Sequence, residues 1–196
     1  MRRRKRRTAR TVLVLLLLLA VVLPFAWKHG QVALRKAAHP LKFEDTVYRY
    51  AEEFSLSPSL VFAVIRTESK FDPEAQSAAG AKGLMQLMDN TYEWVGKSLL
   101  DDPQPMENIC EPETNVRFGC RLLAYLLKRF ENTETALAAY NAGVGRVAAW
   151  LKNPSYSEDG VTLKSIPLDE TRQYVERVTK AQEAYQTLYN VDREES

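Results

Sequence analysis

From Phe43 onward, apolar residues recur every three to four positions, and this spacing predicts a series of amphipathic helices. We therefore expect an all-α domain over residues 43–190, followed by a C-terminal tail at residues 191–196. The apolar positions are Phe43, Val47, Tyr50, Ala51 and Phe54 in the first helix, Leu60, Val61, Val64 and Ile65 in the second, Val116, Cys120, Leu123 and Leu127 in a long central helix, and Tyr174, Val178, Ala181, Tyr185 and Leu188 in the last.

Local signals predict where these helices begin and end. Ser57 followed by Pro58 is a favourable start, because Ser caps free backbone N–H groups and Pro is tolerated at the first helical position. This helix is expected to stop at Phe71-Asp72-Pro73, since the residue before a proline avoids the α region. The other predicted signals are a capping box of Asn90 and Glu93, a start at Pro112 with an end near Phe130, a start at Asn132 or Thr133 with a stop at Gly143, and a last helix after Ile166-Pro167.

A basic segment and then an apolar segment precede the predicted domain. Val12 to Leu23 is a run without any polar side chain. A helix over residues 11–27 is about 25 Å long, near the lower limit for crossing a bilayer. We predict a basic cytoplasmic tail at residues 1–10, a transmembrane signal anchor at residues 11–27, and a juxtamembrane linker at residues 28–42.

A cleaved signal peptide is the alternative for this segment, because it has the same charged start and a similar apolar core. We favour the anchor because no small-x-small cleavage site follows. The best candidate site, after Ala26, places Pro24 where a small residue is required. In both cases the domain lies outside the cytoplasm, and we expect single-pass attachment to the cell membrane with the domain in the periplasm or cell wall.

Composition and charge narrow the chemistry further. The 196-residue chain is 45% apolar with a formal net charge of +2, and its first ten residues hold seven of its 27 Lys and Arg side chains. The remainder has 20 basic against 25 acidic side chains (27 minus 7, against 25). A basic start can indicate nucleic-acid binding, but the adjacent apolar run argues against a free basic arm.

Histidines and cysteines give no metal site. His29 and His39, the two histidines, both precede the domain, so neither a metal centre nor a Ser-His triad is predicted within it. Cys110 and Cys120 are the only cysteines, and sequence leaves their pairing open. Export permits a disulfide, but Cys120 lies well inside a helix that Cys110 precedes, so a bridge requires the preceding loop to fold back.

One carboxylate stands out in this pattern. Glu68 lies three and four residues beyond Ile65 and Val64, and therefore on or beside their apolar helix face. Burial disfavours a charged carboxylate and raises its pKa, which is how a Glu can act as a general acid near neutral pH. Taken alone, however, a Glu near a helix end is more often a solvated charge or a capping group.

Four ordered motifs give Glu68 a wider context. They are ESKFDPEAQSAAGAKGLMQLM at residues 68–88, Asn115 with Gly119, AAYNAG at residues 138–143, and Ile166-Pro167 with ETRQYV at residues 170–175. Together they resemble the signature of the soluble-type lytic transglycosylases of bacterial cell walls, which are related to goose-type lysozyme. Asp89 departs from the family, which usually has Pro there; Asp also starts helices, so we expect little effect on catalysis.

The resemblance implies a lysozyme-like (goose-type) helical fold in which Glu68 is catalytic, with no metal or cofactor. It also implies that Tyr140 faces Glu68 across a cleft. The substrate-binding residues that it implies are Ser77, Met85, Gln86, Tyr140 and Asn141. The implied reaction cleaves the β-1,4 bond between N-acetylmuramic acid and N-acetylglucosamine in peptidoglycan, with a 1,6-anhydromuramoyl product. A hydrolytic muramidase and a non-catalytic peptidoglycan-binding scaffold are the alternatives, and we expect a monomer.

Overall fold

The computed structural model describes residues 22–24 and 26–192, and the chain divides into two compact units, Met1–Pro40 and Leu41–Ser196. In the first unit, residues 26–38 form helix α1, whose residues are all exposed. The predicted cytoplasmic tail and most of the predicted transmembrane segment fall outside the described residues. Among the helices that the structure does describe, none combines the length and the apolar character needed to cross a bilayer.

The second unit is helical, which confirms the predicted all-α class. Its described residues contain no β-strand, and only isolated bridges pair Lys82 with Gln76 and Leu87. The helices are α2 (Glu44–Glu53), α3 (Pro58–Ser69), α4 (Asp89–Trp94), α5 (Pro112–Phe130), α6 (Thr133–Ala142), α7 (Val144–Leu151) and α8 (Asp169–Tyr189). A π-helical stretch, Val95–Leu100, continues α4, and a 3₁₀ segment, Met106–Cys110, precedes α5.

Side-chain caps explain several helix starts. The Ser57 hydroxyl accepts a hydrogen bond from the Leu60 N–H, with Pro58 at the first position of α3, as predicted. Asn132, one of the two predicted alternatives, caps α6 by accepting from the Thr135 N–H at 2.8 Å. These bonds satisfy backbone donors that have no partner inside the helix.

One local expectation needs correction, and another is confirmed. The predicted capping box of Asn90 and Glu93 does not form, because the N-cap of α4 is Met88, two residues before Asn90, and Glu93 instead pairs with Lys97 one turn on. The predicted stop of α6 at Gly143 is confirmed, and α7 begins directly after this residue. Gly143 has φ 91°, a conformation that other residues rarely adopt, so it redirects the chain between two consecutive helices.

Helix α3 lies at the centre of the domain. It packs against α8 and α2, and its residues from Val61 to Ile65 are completely buried on all sides of the helix. Aromatic rings fill the space beside it: Phe62 stacks on Tyr185 of α8 at 5.4 Å and meets Tyr48 of α2 edge-on at 5.9 Å. Phe62 and Tyr185 are fully buried, and burial of each contributes about 1.5–3 kcal/mol, so α3 is held firmly in position.

The end of the described chain also secures α3. The Asp192 carboxylate accepts hydrogen bonds from the Ser59 N–H at 2.9 Å and the Ser59 hydroxyl at 2.7 Å, and from the Ser57 hydroxyl at 2.9 Å. Val191 is only 9% exposed. Residues 191 and 192, which the sequence analysis assigned to a tail, therefore pack against the N-terminus of α3, where a negative charge is favourable.

The two cysteines do not form a disulfide in the structure. Cys110 and Cys120 are both free thiols, the first half-buried at the end of the 3₁₀ segment and the second fully buried in α5. Burial raises the pKa of each thiol, so both are held in the neutral form at physiological pH.

Candidate active site

The catalytic candidate, Glu68, lies one residue before the C-terminus of α3. The helix ends at Ser69, slightly before the predicted stop, because Lys70 and Phe71 both take left-handed backbone conformations, with φ 53° and 65°. The Ser69 hydroxyl supports this sharp exit by donating to the Ile65 carbonyl and accepting from the Phe71 N–H, each at 3.1 Å. Glu68 is thus presented by a rigid helix at the point where the chain turns away.

The Glu68 carboxyl group sits in surroundings that favour its protonated form. Burial raises its pKa from the ordinary value of 4.5 to about 7. The residue as a whole is half-buried, whereas its carboxyl end is more deeply enclosed. The Tyr174 hydroxyl and the Arg177 guanidinium, both on α8, partly oppose the shift because they favour the carboxylate. The result is an acid that is about half protonated at neutral pH.

Two tyrosines approach this carboxyl group from different helices. The Tyr140 hydroxyl, on α6, donates a 2.8 Å hydrogen bond to the Met85 carbonyl. The Tyr174 hydroxyl is buried and close enough to Glu68 to lower its pKa, yet it makes no short hydrogen bond to any described residue. Burial first, and then the Glu68 charge, raises the pKa of both tyrosines well above 10, so each remains a neutral hydroxyl.

The loop that contains Met85 is fixed from beneath by Asn115 of α5. The Asn115 side chain is completely buried, accepts a hydrogen bond from the Met85 N–H at 2.7 Å, and donates to the carbonyls of Lys82 at 3.1 Å and Ile109 at 2.5 Å. Buried amides are costly unless paired, so these three bonds hold the loop in one conformation. Met85 is thereby tied to α5 through its N–H and to α6 through its carbonyl.

Two glycines make this close packing sterically feasible. A Cβ atom at Gly119 would lie 2.3 Å from the Met85 sulfur, and one at Gly83 would lie 2.3 Å from the Asn115 amide nitrogen. Both distances are shorter than real contacts of a Cβ atom, so any larger residue would displace the loop. This explains why the motif requires glycine at these places.

Gln86 and Ser77 have observed contacts within the same loop region. Gln86 has a left-handed backbone with φ 50°, and its Nε2 group donates to the Ala75 carbonyl at 3.0 Å and the Gly83 carbonyl at 2.9 Å. The exposed Ser77 hydroxyl accepts from the Ala81 N–H at 3.0 Å and closes a tight turn. Both side chains organise the loop, and their predicted contacts with substrate stay predictions.

Asn141 connects α6 to α8. Its Oδ1 accepts a 2.8 Å hydrogen bond from the hydroxyl of Thr171, which is completely buried. Thr171 lies one turn before Tyr174, so this bond aligns the two helices that present Tyr140 and Tyr174. The contact gives Asn141 a positioning role, and binding of substrate by this residue also stays a prediction.

Of the residues predicted for the site, the structure brings Glu68, Tyr140 and Met85 together. Sequence reasoning assigned no site role to Tyr174, which it placed in the apolar stripe of the last helix. A signal was present, because a tyrosine in a buried stripe needs a partner for its hydroxyl. The described residues contain no group of three or more His, Cys, Asp or Glu side chains arranged to hold a metal ion.

The helical fold and one enclosed acid beside two tyrosines define the class as a lysozyme-like domain. Residues 45–161 match the family model described as the Transglycosylase SLT domain, and the chain belongs to this family. The chain is 40% identical to the soluble lytic murein transglycosylase of Salmonella typhimurium over 149 residues, which cover 74% of this chain and 23% of that protein. It is 29% identical to the membrane-bound lytic murein transglycosylase C of Edwardsiella ictaluri, covering 79% and 49%.

Solved structures give the same result. The 70 kDa soluble lytic transglycosylase of Escherichia coli matches with a TM-score of 0.71 and 30% identity, over 81% of this chain and 26% of that one. An inactive glutamate-to-glutamine mutant of the lytic transglycosylase Slt from Pseudomonas aeruginosa matches with a TM-score of 0.69 and 33% identity, over 79% and 25%. The chain spans about a quarter of the length of the soluble relatives.

Proposed function

We propose that this protein is a membrane-anchored peptidoglycan lytic transglycosylase in which Glu68 is the catalytic acid and base. The observation that supports this most directly is the pKa of the Glu68 carboxyl group, raised to about 7 by burial beside Tyr140 and Tyr174. A carboxyl group with a pKa near the working pH can both give and accept a proton. Membership of the family supports the choice of glycan substrate.

In the first step, protonated Glu68 donates its proton to the oxygen that bridges N-acetylmuramic acid and N-acetylglucosamine. The bond from this oxygen to muramoyl C1 breaks, and an oxocarbenium-like state develops, assisted by the neighbouring N-acetyl group. A negative charge now appears on Glu68 in an enclosed site. The Tyr174 hydroxyl and the Arg177 guanidinium are positioned to stabilise it, since both favour the carboxylate.

In the second step, the Glu68 carboxylate accepts the proton of the muramoyl C6 hydroxyl while that oxygen attacks C1. This forms the 1,6-anhydro ring and restores the acid, so no water is consumed. Glycosidases that use two carboxylates need one as acid and one as nucleophile or base. Here the described groups that shift the Glu68 pKa are a tyrosine and an arginine, with no second carboxylate, which supports a one-acid mechanism.

Substrate placement is the proposed task of the surrounding loop. Met85 and Tyr140 border the acid, and Gln86, Ser77 and Asn141 supply amide and hydroxyl groups suited to sugar hydroxyls and N-acetyl groups. The side-chain hydrogen bonds of Gln86 both use Nε2, with no bond from its Oε1 to another described residue. This oxygen is our candidate acceptor for a substrate N–H.

Location follows from the N-terminal sequence. We infer that residues 11–27 anchor the protein as a single pass and that the domain acts as a monomer in the periplasm or cell wall. The basic residues before the apolar run favour a cytoplasmic N-terminus. The similarity to a membrane-bound lytic murein transglycosylase supports this arrangement.

Product analysis tests the reaction. The purified full chain is incubated with peptidoglycan sacculi, and the released muropeptides are identified by mass spectrometry. We expect 1,6-anhydromuramoyl ends from the wild type and none from Glu68→Gln, with Glu183→Gln as the matched control, since Glu183 is an exposed residue of α8. Reducing muramic acid ends would show a muramidase instead. Peptidoglycan binding without release of products by any variant would favour the scaffold.

An inhibitor gives an independent test of the glycan cleft. The 70-kDa soluble lytic transglycosylase has been solved in complex with bulgecin A. We propose that this chain binds the same compound, and we expect bulgecin A to raise the melting temperature and to inhibit release of anhydro products. Absence of any thermal shift at saturating concentration would contradict a cleft of this type.

A further inference from the structure

The exposed helix α1 is amphipathic. Along residues 26–38, one arc of the helix contains only apolar residues, spaced three or four positions apart as one face requires. These are Ala26, Trp27, Gly30, Ala33, Leu34, Ala37 and Ala38. The opposite arc contains Lys28, His29, Gln31, Val32, Arg35 and Lys36. A linker that is simply solvated has no need of this segregation.

The apolar arc of α1 is open to solvent in the structure. Trp27 is 72% exposed and Leu34 is 69% exposed. They lie seven residues apart, which is two helical turns, so both point to the same side. Large apolar side chains exposed together on one face of a helix indicate a surface that is covered in the working protein.

The charges on α1 indicate which surface covers its apolar arc. The polar arc of α1 has three cations, Lys28, Arg35 and Lys36, and no Asp or Glu occurs before Glu44. A cationic face beside a Trp- and Leu-bearing face is the pattern of helices that lie in a membrane interface. Each cation is attracted to an anionic lipid surface, so three cations on one arc strengthen the binding of this face to the membrane.

We propose that α1 lies flat in the interface of an anionic bilayer, with Trp27 and Leu34 at the boundary of headgroups and acyl chains and with Lys28, Arg35 and Lys36 among the lipid phosphates. This goes beyond simple tethering, since a flat helix holds the start of the domain at the membrane surface. It depends neither on the proposed reaction nor on whether residues 11–27 cross the bilayer.

Site-directed spin labelling tests the proposal in the full chain. Cys110 and Cys120 are replaced by Ala, and a single cysteine is introduced at position 27, 28, 34 or 35. Each variant is reconstituted in phosphatidylglycerol–phosphatidylcholine vesicles, and a nitroxide label is then attached to this cysteine. Collisions with oxygen report lipid contact, and collisions with a water-soluble nickel chelate report water. Circular dichroism confirms that each labelled protein is folded.

We expect the ratio of collisions with oxygen to collisions with the nickel chelate to be several-fold higher at positions 27 and 34 than at 28 and 35. The ratios at 27 and 34 should be similar to each other. In vesicles of phosphatidylcholine alone, this contrast should largely disappear. After Lys28→Glu with Arg35→Glu, the oxygen-to-nickel ratio of labels at positions 27 and 34 should fall. High nickel accessibility at all four positions would overturn the proposal in favour of a solvated linker.

Three further results would also contradict it. An upright helix would place position 34 about 10 Å further from the membrane than position 27, so only position 27 would contact lipid. Protection of positions 27 and 34 from both reagents would show that protein covers the apolar arc, for example a second copy of this chain. A contrast that persists unchanged without anionic lipid would refute the role of the headgroups.

Discussion

Replacing Glu68 with glutamine should abolish catalysis and at the same time stabilise the fold. Glutamine keeps the size and polarity of the side chain but has no charge to bury. In the unfolded chain the Glu68 carboxyl group titrates near 4.5, whereas in the folded domain burial raises its pKa to about 7. This difference corresponds to about 3 kcal/mol, at about 1.4 kcal/mol for each pH unit.

The direction of this pH dependence follows from the number of protons that the folded and unfolded states bind. Between pH 4.5 and 7 the folded state retains a proton that the unfolded state has lost, so the wild type loses stability relative to Glu68→Gln as pH rises through this range. The advantage of the glutamine variant should therefore be close to zero at pH 4 and reach about 3 kcal/mol at pH 8. For a chain of this size, that corresponds to about 6–12 °C in melting temperature.

Thermal unfolding of the full chain, followed by circular dichroism at pH 4, 5.5 and 8, measures this difference. The control is Glu183→Gln, which removes an exposed carboxylate from α8 and should change stability by less than about 0.5 kcal/mol at every pH. A difference between Glu68→Gln and wild type that does not vary with pH would contradict this prediction, since it would show that the Glu68 carboxyl group is not buried at a cost.

Three other changes test the surroundings of the site. The activity of the wild type should fall as pH rises above 7, and Arg177→Gln should shift this fall to higher pH because a cation that favours the Glu68 carboxylate is removed. Arg177→Lys should restore the wild-type pH profile. A pH profile that Arg177→Gln leaves unchanged would contradict this prediction. Gly119→Ala should lower the free energy of unfolding by about 1–3 kcal/mol and reduce activity, because the added methyl group displaces Met85. Gly145→Ala is the control: a Cβ atom there has no neighbour within 4 Å, so this change should be neutral or stabilising in thermal melts. Asp192→Asn should cost about 2 kcal/mol at pH 7 through loss of charged hydrogen bonds to the start of α3. Burial raises the pKa of Asp192, but these hydrogen bonds lower it by more, so the pKa lies below its usual value. The penalty should therefore vanish as pH falls below about 4 in urea titrations. A penalty that persists below pH 4 would refute the role of the Asp192 carboxylate at the start of α3.

Local sequence determined most of the helical framework. The three-to-four-residue spacing and the start signals at Ser57-Pro58, Pro112 and Asn132 correspond to observed helices, because periodicity and capping act over a few neighbouring residues. The start of α4 was predicted less accurately, because its N-cap lies two residues before Asn90, and the short helix α7 after Gly143 was not predicted. Glu68 was also found from sequence, since both its motif and its apolar neighbours are close to it in the chain.

The surroundings of the acid depend on contacts between residues that are far apart in the chain. The bond from Tyr140 to Met85 joins residues 55 positions apart, the bond from Asn115 to Met85 spans 30, and Asp192 reaches Ser57 across 135. The approach of Tyr174 and Arg177 to Glu68 likewise depends on the packing of α8 against α3. No local pattern specifies such contacts, because they follow from the way whole helices pack. The sequence thus identified the acid, and the fold sets its proton affinity.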